Sequence, residues 1–470
     1  MTTVLICADA RMPGTVEHPR ASVITVEELC LHPTSMKSVV PDEETELVLA
    51  LHRHEANLGA IQAVTRRLGF DPLAVGIVEL DSLADPGELP RVLAAAIARV
   101  SHYPGSTPAQ VKLLPPDRAS RRSFLSIGSP IYVGAPMVDP GVCVAGNGCR
   151  ICATTCPASA LTWTSGAISF DVNTCVACGI CVTSCPIGAI VHPTITPALV
   201  QAEIEAALAY ADEPIGLRFH CRASEIAGEP GWHLVEVPCT GMLTVGWLLA
   251  PLALGAAKVD AVPCPSGGCP LNNDERLATT RRDVEVLLDG LGITADQAGR
   301  TDSESGRLDL VGWFDSASTG RIINELAAAA TQASVTLESA DIGSIIIDPA
   351  TCTACQMCAQ ICPTKALRSY SAPDGVRIDF DPADCVACSQ CLTICPEIDR
   401  NAITMTRGID LADWHLGRRE VRHDPVARCE LCGGPVAPSA MLARIETMLG
   451  DDGQEAMALI GRRCLKCRGR

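Results

Sequence analysis

At 470 residues the chain is too long for one hydrophobic core, and three to five domains are expected. It has 26 cysteines and only 3% aromatic residues, and its start, MTTVLICADARMPG, lacks a basic-then-apolar leader; this points to metal centres in a reducing, cytoplasmic compartment and away from disulfides. A net charge of −17 without a Lys/Arg-rich run speaks against nucleic-acid binding.

Residues 1–120 alternate apolar strands with amphipathic helices. TTVLICAD, ASVITVEE, TELVLALHR and LAVGIVEL read as strands; EANLGAIQAVTRRLGF and PGELPRVLAAAIARV read as helices. The alternation predicts a doubly wound α/β domain on a parallel sheet. No G-x-G-x-x-G follows a strand and there is no P-loop, so no flavin or nicotinamide site is expected. Cys7 closes the first strand and Cys30 follows the second, at the edge where open sheets bind ligands. Two readings stand for this pair, buried free thiols or a metal or redox role. His52 and His54 fall on opposite faces of a strand and make a poor chelating pair. Residues 121–140, RRSFLSIGSPIYVGAPMVDP, read as a linker because Gly, Pro and Ser are dense there.

The next segment carries the strongest signal. Cys175, Cys178, Cys181, Cys185 and Pro186 form C-x2-C-x2-C-x3-C-P, the run that ligates cubane iron–sulfur clusters. A looser copy precedes it: Cys143, then Cys149, Cys152, Cys156 and Pro157, with Gly141, Gly146 and Gly148 to bend the longer loop. The spacing returns in Cys352, Cys355, Cys358, Cys362 and Pro363, and again in Cys385, Cys388, Cys391, Cys395 and Pro396. In such runs the fourth cysteine serves the neighbouring cluster. Four 4Fe–4S clusters follow: Cys143, Cys149, Cys152 with Cys185; Cys175, Cys178, Cys181 with Cys156; Cys352, Cys355, Cys358 with Cys395; and Cys385, Cys388, Cys391 with Cys362. Residues 143–186 and 352–396 thus resemble bacterial two-cluster ferredoxin modules. Each module has a hairpin between its runs, turning at Ser-Gly in ALTWTSGAISFDVNTC and at Asp-Gly in ALRSYSAPDGVRIDFDPADC. The match of AISFDVNTCVAC to VRIDFDPADCVAC marks an internal duplication.

A different domain lies between the modules. Residues 196–211 read as a helix, followed by strands IGLRFHC, HLVEVPC and KVDAVPC, which end in Cys221, Cys239 and Cys264; Cys269 sits just beyond. Residues 241–257, GMLTVGWLLAPLALGAA, are uncharged but interrupted by Pro251, and read as a buried core helix; no transmembrane segment is expected. ERLATTRRDVEVLLDGLG is a further helix. Four thiolates on one edge of a parallel sheet can bind a 2Fe–2S cluster, a zinc ion or a cubane. RFHC, VPCTG and LGAAKVDAVPCPSGGCPLNN resemble the delta subunit of methyl-viologen-reducing hydrogenases over about 213–330. The resemblance implies a 2Fe–2S cluster on Cys221, Cys239, Cys264 and Cys269, and electron transfer from hydrogenase or formate dehydrogenase to heterodisulfide reductase. More faintly, VLIC, EELC and LVLALHR…AIQAVTRRLGFDPLAVGIVEL resemble the N-terminal part of the flavin-bearing subunit of heterodisulfide reductase, without its flavin-binding portion.

Cys429, Cys432, Cys464 and Cys467 form two C-x2-C knuckles around the helical SAMLARIETML. Zinc is the first reading, a cluster the next and free thiols the last. The domains expected are 1–120, ferredoxin module 1 at 121–195, a parallel α/β 2Fe–2S domain at 196–335, ferredoxin module 2 at 340–408 and a zinc-ribbon-like tail at 409–470. These sites use 24 of the 26 cysteines, and no catalytic side-chain arrangement is defended by spacing. The expectation is a multi-cluster electron-transfer subunit with protein redox partners. Direct chemistry on a small substrate at a cluster, or redox sensing, are the alternatives.

Overall fold

In the N-terminal region four strands run parallel in the order β2-β1-β3-β4: β1 (Thr2–Ala8), β2 (Ala21–Glu27), β3 (Glu46–Leu51) and β4 (Gly76–Glu79). β1 and β3 are apolar runs because both of their faces are covered. Leu5, Cys7, Leu47 and Leu49 meet Ile61 and Val64 of α1 (Leu58–Arg67) on one face. Val4, Ile6, Val48 and Ala50 meet Leu93, Ile97 and Val100 of α2 (Leu89–Ser101) on the other. This is the doubly wound arrangement that the sequence pattern predicts. Leu49 is fully buried in the centre. Leu49→Ala is expected to cost about 2–5 kcal/mol, read as an earlier urea midpoint.

The computed structural model describes residues 2–8, 18–40, 46–52, 58–114, 131–222, 224, 226–263, 271, 273–292, 319–320, 322–323, 334–337, 341–372, 374–450, 453, 457 and 461–468. They form two compact units. The first is Met1–Cys143, Arg150–Leu288 and Ile293–Ala329; the second is Val144–Cys149, Asp289–Gly292 and Ala330–Arg470.

Part of the expected linker is strand. Residues 121–130 lie outside the described residues, but β6 (Ile131–Gly134) pairs antiparallel with β5 (Val111–Leu114), and Met137–Val138 forms strand β7. Glycine and proline density hid this pairing. A buried side chain reinforces it: Tyr132 donates its amide to Gln62 Oε1 at 2.9 Å, and Gln62 Nε2 donates to the Tyr132 carbonyl at 3.0 Å. β8 (Leu161–Thr164) and β9 (Ala167–Phe170) form the first expected hairpin, with Ser165 and Gly166 both at positive φ, as its two-residue turn requires. β10 (Ile190–Val191) pairs back to β7.

The segment between the two modules begins with α3 (Pro197–Ala209), which packs on α2; there Arg99 pairs with the buried Glu203 and donates to the Thr194 carbonyl at 2.8 Å. Its sheet is parallel, in the order β12-β11-β13: β11 (Gly216–Cys221), β12 (Trp232–Val237) and β13 (Lys258–Ala261). The apolar stretch becomes a nine-residue helix (Val245–Ala253) whose Trp247, Leu249 and Leu252 are buried. Among the described residues no helix is long and apolar enough to cross a membrane.

In the second unit, β14 (Ser334–Thr336) and β15 (Gly343–Ile347) both pair antiparallel with β18 (Ile403–Asp410). β16 (Leu367–Ala372) and β17 (Gly375–Phe380) form a hairpin, which β19 (Arg419–Asp424) extends to three strands. The hairpin does not turn at Asp-Gly as expected. Gly375 pairs with Ala372 inside the ladder, so the connection falls at 373–374. Glycine is needed at 375 for another reason: a Cβ there would lie 2.2 Å from the Asp424 carbonyl oxygen of β19.

Candidate metal centres

Three of the four cysteine runs share one backbone conformation. The residues two and four places after the first cysteine have left-handed φ: Ala177 (55°) and Gly179 (79°), Ala354 (53°) and Gln356 (67°), Ala387 (46°) and Ser389 (60°). Left-handed residues alternating with ordinary ones turn successive amides inward, a concavity suited to an anionic cluster. Each non-glycine in this region costs about 1–3 kcal/mol in backbone strain. The Ala177 amide donates to Cys175 Sγ at 3.3 Å, and the Ala354 amide to Cys352 Sγ at 3.4 Å. A one-turn helix follows each loop, at Ile180–Ser184, Met357–Ile361 and Gln390–Ile394, and carries the third cysteine. The fourth cysteine sits just past the helix in extended conformation. After the Cys-Pro pair, left-handed Ser159, Gly188 and Lys365 turn three of the chains back. Amides of Ala160, Ala189 and Leu367 then donate to Cys156, Cys185 and Cys362 at 3.3, 3.2 and 3.4 Å. The looser first run lacks the pair: Gly148 is left-handed, but Arg150 is not.

The thiols fall into groups. A cavity is lined by Cys362, Cys385, Cys388 and Cys391 together with Ile345, Phe380 and Met405. Burial pushes the Cys385 thiol up to about 12 and that of Cys388 to about 11. Cys391 is raised by burial and then by Cys385, Cys388, Cys358 and Cys362 around it. Cys358 is pushed to about 12 by burial, then by Cys352 and Cys355, with Cys395 also contributing. Cys181 is raised by burial and by Cys178, Cys175, Cys156 and Cys152; Cys185 has Cys143 as its thiol neighbour. Cys149 belongs to the second unit, with the segment Val144–Cys149, whereas Cys143, Cys152 and Cys185 belong to the first. Thiols held this high stay neutral unless a cation compensates their charge, so loading must release protons. Amides aimed at sulfur, together with thiols that need a cation, fit an iron–sulfur cluster.

Two cysteines of this segment stand at the carboxyl edge of its sheet. Cys221 ends β11, with Ser224 Oγ 3.2 Å from its sulfur. Cys239, just past β12, accepts hydrogen bonds from the Gly241 amide at 3.4 Å and from Asn273 Nδ2 at 3.6 Å. Cys264 and Cys269 lie outside the described residues. Arg222 connects this edge to the first module by donating to the Val176 carbonyl at 3.3 Å. Its charge faces Glu236 first and then Cys221, Cys178 and Cys239. Thr183 reinforces the joint by donating to the Met242 carbonyl at 2.6 Å. Arg222→Gln is expected to lower the reduction potential of the centre at Cys175, Cys178 and Cys181 by tens of millivolts, where about 59 mV is a tenfold change for one electron. An EPR-monitored redox titration checks this.

Spacing missed a second cation. Lys112 donates to the carbonyls of Val172 at 2.7 Å, Asn173 at 2.9 Å and Cys175, tying down the start of the Cys175 loop. Nothing about a lone lysine more than sixty positions upstream signals this.

Cys7 and Cys30 are both buried in the N-terminal core. The Cys30 amide donates to Cys7 Sγ at 3.4 Å, and the His52 amide to Cys30 Sγ at 3.2 Å. His52 Nδ1 lies 3.1 Å from Asp81 Oδ1. His54 lies outside the described residues.

At the C-terminus, ligand atoms of Cys429, Cys432, Cys464 and Cys467 all lie within 4.8 Å of one another. Cys432 and Cys464 have their sulfurs 3.5 Å apart. Zinc–sulfur bonds of about 2.3 Å in a tetrahedron place sulfurs about 3.8 Å apart, so this group fits one ion. Among the described residues no other Cys, His, Asp or Glu group of three or more is as tight. Amides of Cys464, Cys432 and Leu431 hold the Cys429 thiol below its ordinary range.

Inward-turned amides and grouped thiols define a protein with ferredoxin-type 4Fe–4S domains, the kind that serve iron–sulfur electron transfer. Comparison with known families specifies them further. The 4Fe-4S dicluster domain matches residues 344–396, and the 4Fe-4S binding domain matches residues 168–191. No curated protein matches the chain.

Proposed function

We propose that the chain is an electron-transfer subunit. Its sixteen module cysteines hold four 4Fe–4S clusters with the cross-ligation set out above. It relays single electrons between a hydrogenase- or formate-dehydrogenase-like partner and a heterodisulfide-reductase-like or other redox partner. The repeated loop carries this reading: the left-handed pairs at 177 and 179, 354 and 356, and 387 and 389 turn amides toward the cysteines of three of the four runs. A bound 4Fe–4S cluster supplies a one-electron couple. The chain supplies the rest: thiols as ligands, amides that stabilise negative sulfur, and Lys112 and Arg222 to fix the first module's loop. Cys221, Cys239, Cys264 and Cys269 are proposed to hold a 2Fe–2S cluster, and the C-terminal knuckles a zinc ion.

Anaerobic metal and sulfide analysis tests this. About 18 iron and about one zinc per chain are expected. A value near eight iron would leave room for only two of the four proposed 4Fe–4S clusters. Copurification with a catalytic subunit, without turnover by the isolated chain, supports the relay role. Turnover of a small substrate by the isolated chain overturns it.

A further inference from the structure

We propose that the C-terminal four-cysteine site is a metal-dependent clamp on one cluster site, in which a divalent cation held by the knuckles fixes the helix Ser439–Leu449, and that helix sets the surroundings of Cys352, Cys355, Cys358 and Cys395. The inference rests on the four-cluster reading above.

Two connections run from the tail, and both reach the same group of cysteines. The first starts at the helix N-terminus. Ala440 donates its amide to Asp424 Oδ2 at 3.0 Å. The other oxygen of Asp424 accepts from Arg422 Nη2 at 2.7 Å, and that nitrogen also donates to the Cys352 carbonyl at 3.3 Å. Asp424 and Arg422 are almost fully buried, with side-chain exposures of 6% and 9%. Burial pushes the Cys352 thiol up, and the Arg422 guanidinium acts against it. The second connection leaves the body of the helix. Arg444 Nε donates to both oxygens of Glu397 at 3.1 Å, and Arg400 donates to one of them at 2.9 Å. Glu397 stands two residues after Cys395, and its amide is aimed at the Cys395 sulfur.

The knuckles hold the helix between them. Val426–Arg428 and Pro435–Pro438 pair as a short hairpin around Cys429 and Cys432, and the hairpin runs directly into Ser439. Ser439 donates its amide to the Pro425 carbonyl at 2.8 Å. The second knuckle is tied to the first by the Glu430 amide, which donates to the Arg462 carbonyl at 3.0 Å. Without an ion, four close thiols have no centre to hold the two knuckles together. Asp424 then loses its helix donor, and Arg422 its fixed carboxylate. A buried positive charge beside a cluster favours the reduced, more negative form. Release of the clamp therefore disfavours reduction at this one site.

The experiment uses the full chain with its clusters loaded. Cys358→Ser identifies which EPR component belongs to this group. Redox titrations then compare the parent protein with Cys464→Ser, which removes the ion. A second variant, Ala440→Pro with Arg444→Gln, removes the amide donor to Asp424 and the cation on Glu397 and leaves the knuckles intact. Both are expected to lower the reduced-to-oxidised ratio of the Cys358-dependent component at fixed potential about tenfold, about 59 mV for one electron. The other components stay in place. Selective loss of that component in either variant also supports the clamp. If Cys464→Ser loses every component, the second variant decides. An unmoved Cys358-dependent component in the second variant overturns the clamp alone. No Cys358-dependent component in the parent protein overturns the cluster assignment, and the clamp with it.

Discussion

Cys391→Ser and Cys362→Ser are expected to abolish the same EPR component and to lower the iron content from about 18 to about 14 per chain. The two residues belong to different runs: Cys362 follows Cys352, Cys355 and Cys358 in sequence, while Cys391 belongs with Cys385 and Cys388. In space Cys362 lines a cavity with Cys385, Cys388 and Cys391. Cross-ligation therefore groups the losses by cavity and not by run. Cys358→Ser is expected to remove a different component. Serine is a poor substitute here, because its hydroxyl is a weaker acid than the thiol, and burial already drives the Cys391 thiol up. If Cys362→Ser and Cys358→Ser remove the same component, the cross-ligated assignment fails.

The second large effect concerns the C-terminal knuckles. Cys432→Ser with Cys464→Ser is expected to take the zinc content from about one to zero while leaving 4Fe–4S components visible. A fall of four iron would instead assign a cubane to these cysteines. Retention of the ion should depend on pH in one direction. Amide donors hold the Cys429 thiol below its ordinary range, whereas hydrogen bonding to Cys432 and Cys464 pushes Cys467 up to about 12, so protons compete with the ion at the four sulfurs. Cysteines bind the ion as thiolates, so the ion is held where protons are scarce and displaced as pH falls. Acidification therefore releases the ion, and alkaline conditions retain it. Chromophoric chelator titration at several pH values reads this directly. Equal retention across acid and neutral pH would contradict thiolate ligation.

Some features were legible in the sequence, and the reasons are physical. β1 and β3 were readable because strands covered on both faces need unbroken apolar runs. The Ser165-Gly166 turn was readable because a tight hairpin needs two left-handed residues. The Asp374-Gly375 pair looked the same, yet Gly375 serves a close approach by β19, which is distant in sequence. The cysteine runs were visible, but the backbone that makes them a cradle was not. Ala177, Ala354, Gln356, Ala387 and Ser389 are residue types with no preference for positive φ. Lys112, Arg222, Arg422 and Arg444 act on loops 46 to 70 positions away, and no local pattern marks such long-range partners. The strands at 131–138 were hidden by composition, because proline and glycine flank a short pairing that Gln62 holds from another element.

The hairpin of the second module owes its third strand to residues 419–424, beyond the last cluster cysteine. A product ending before them would retain all sixteen module cysteines and still present a bare strand rim along β17. Exposed rims of this kind recruit other chains by backbone pairing. Shortened versions of this protein should therefore self-associate, even where every iron ligand survives.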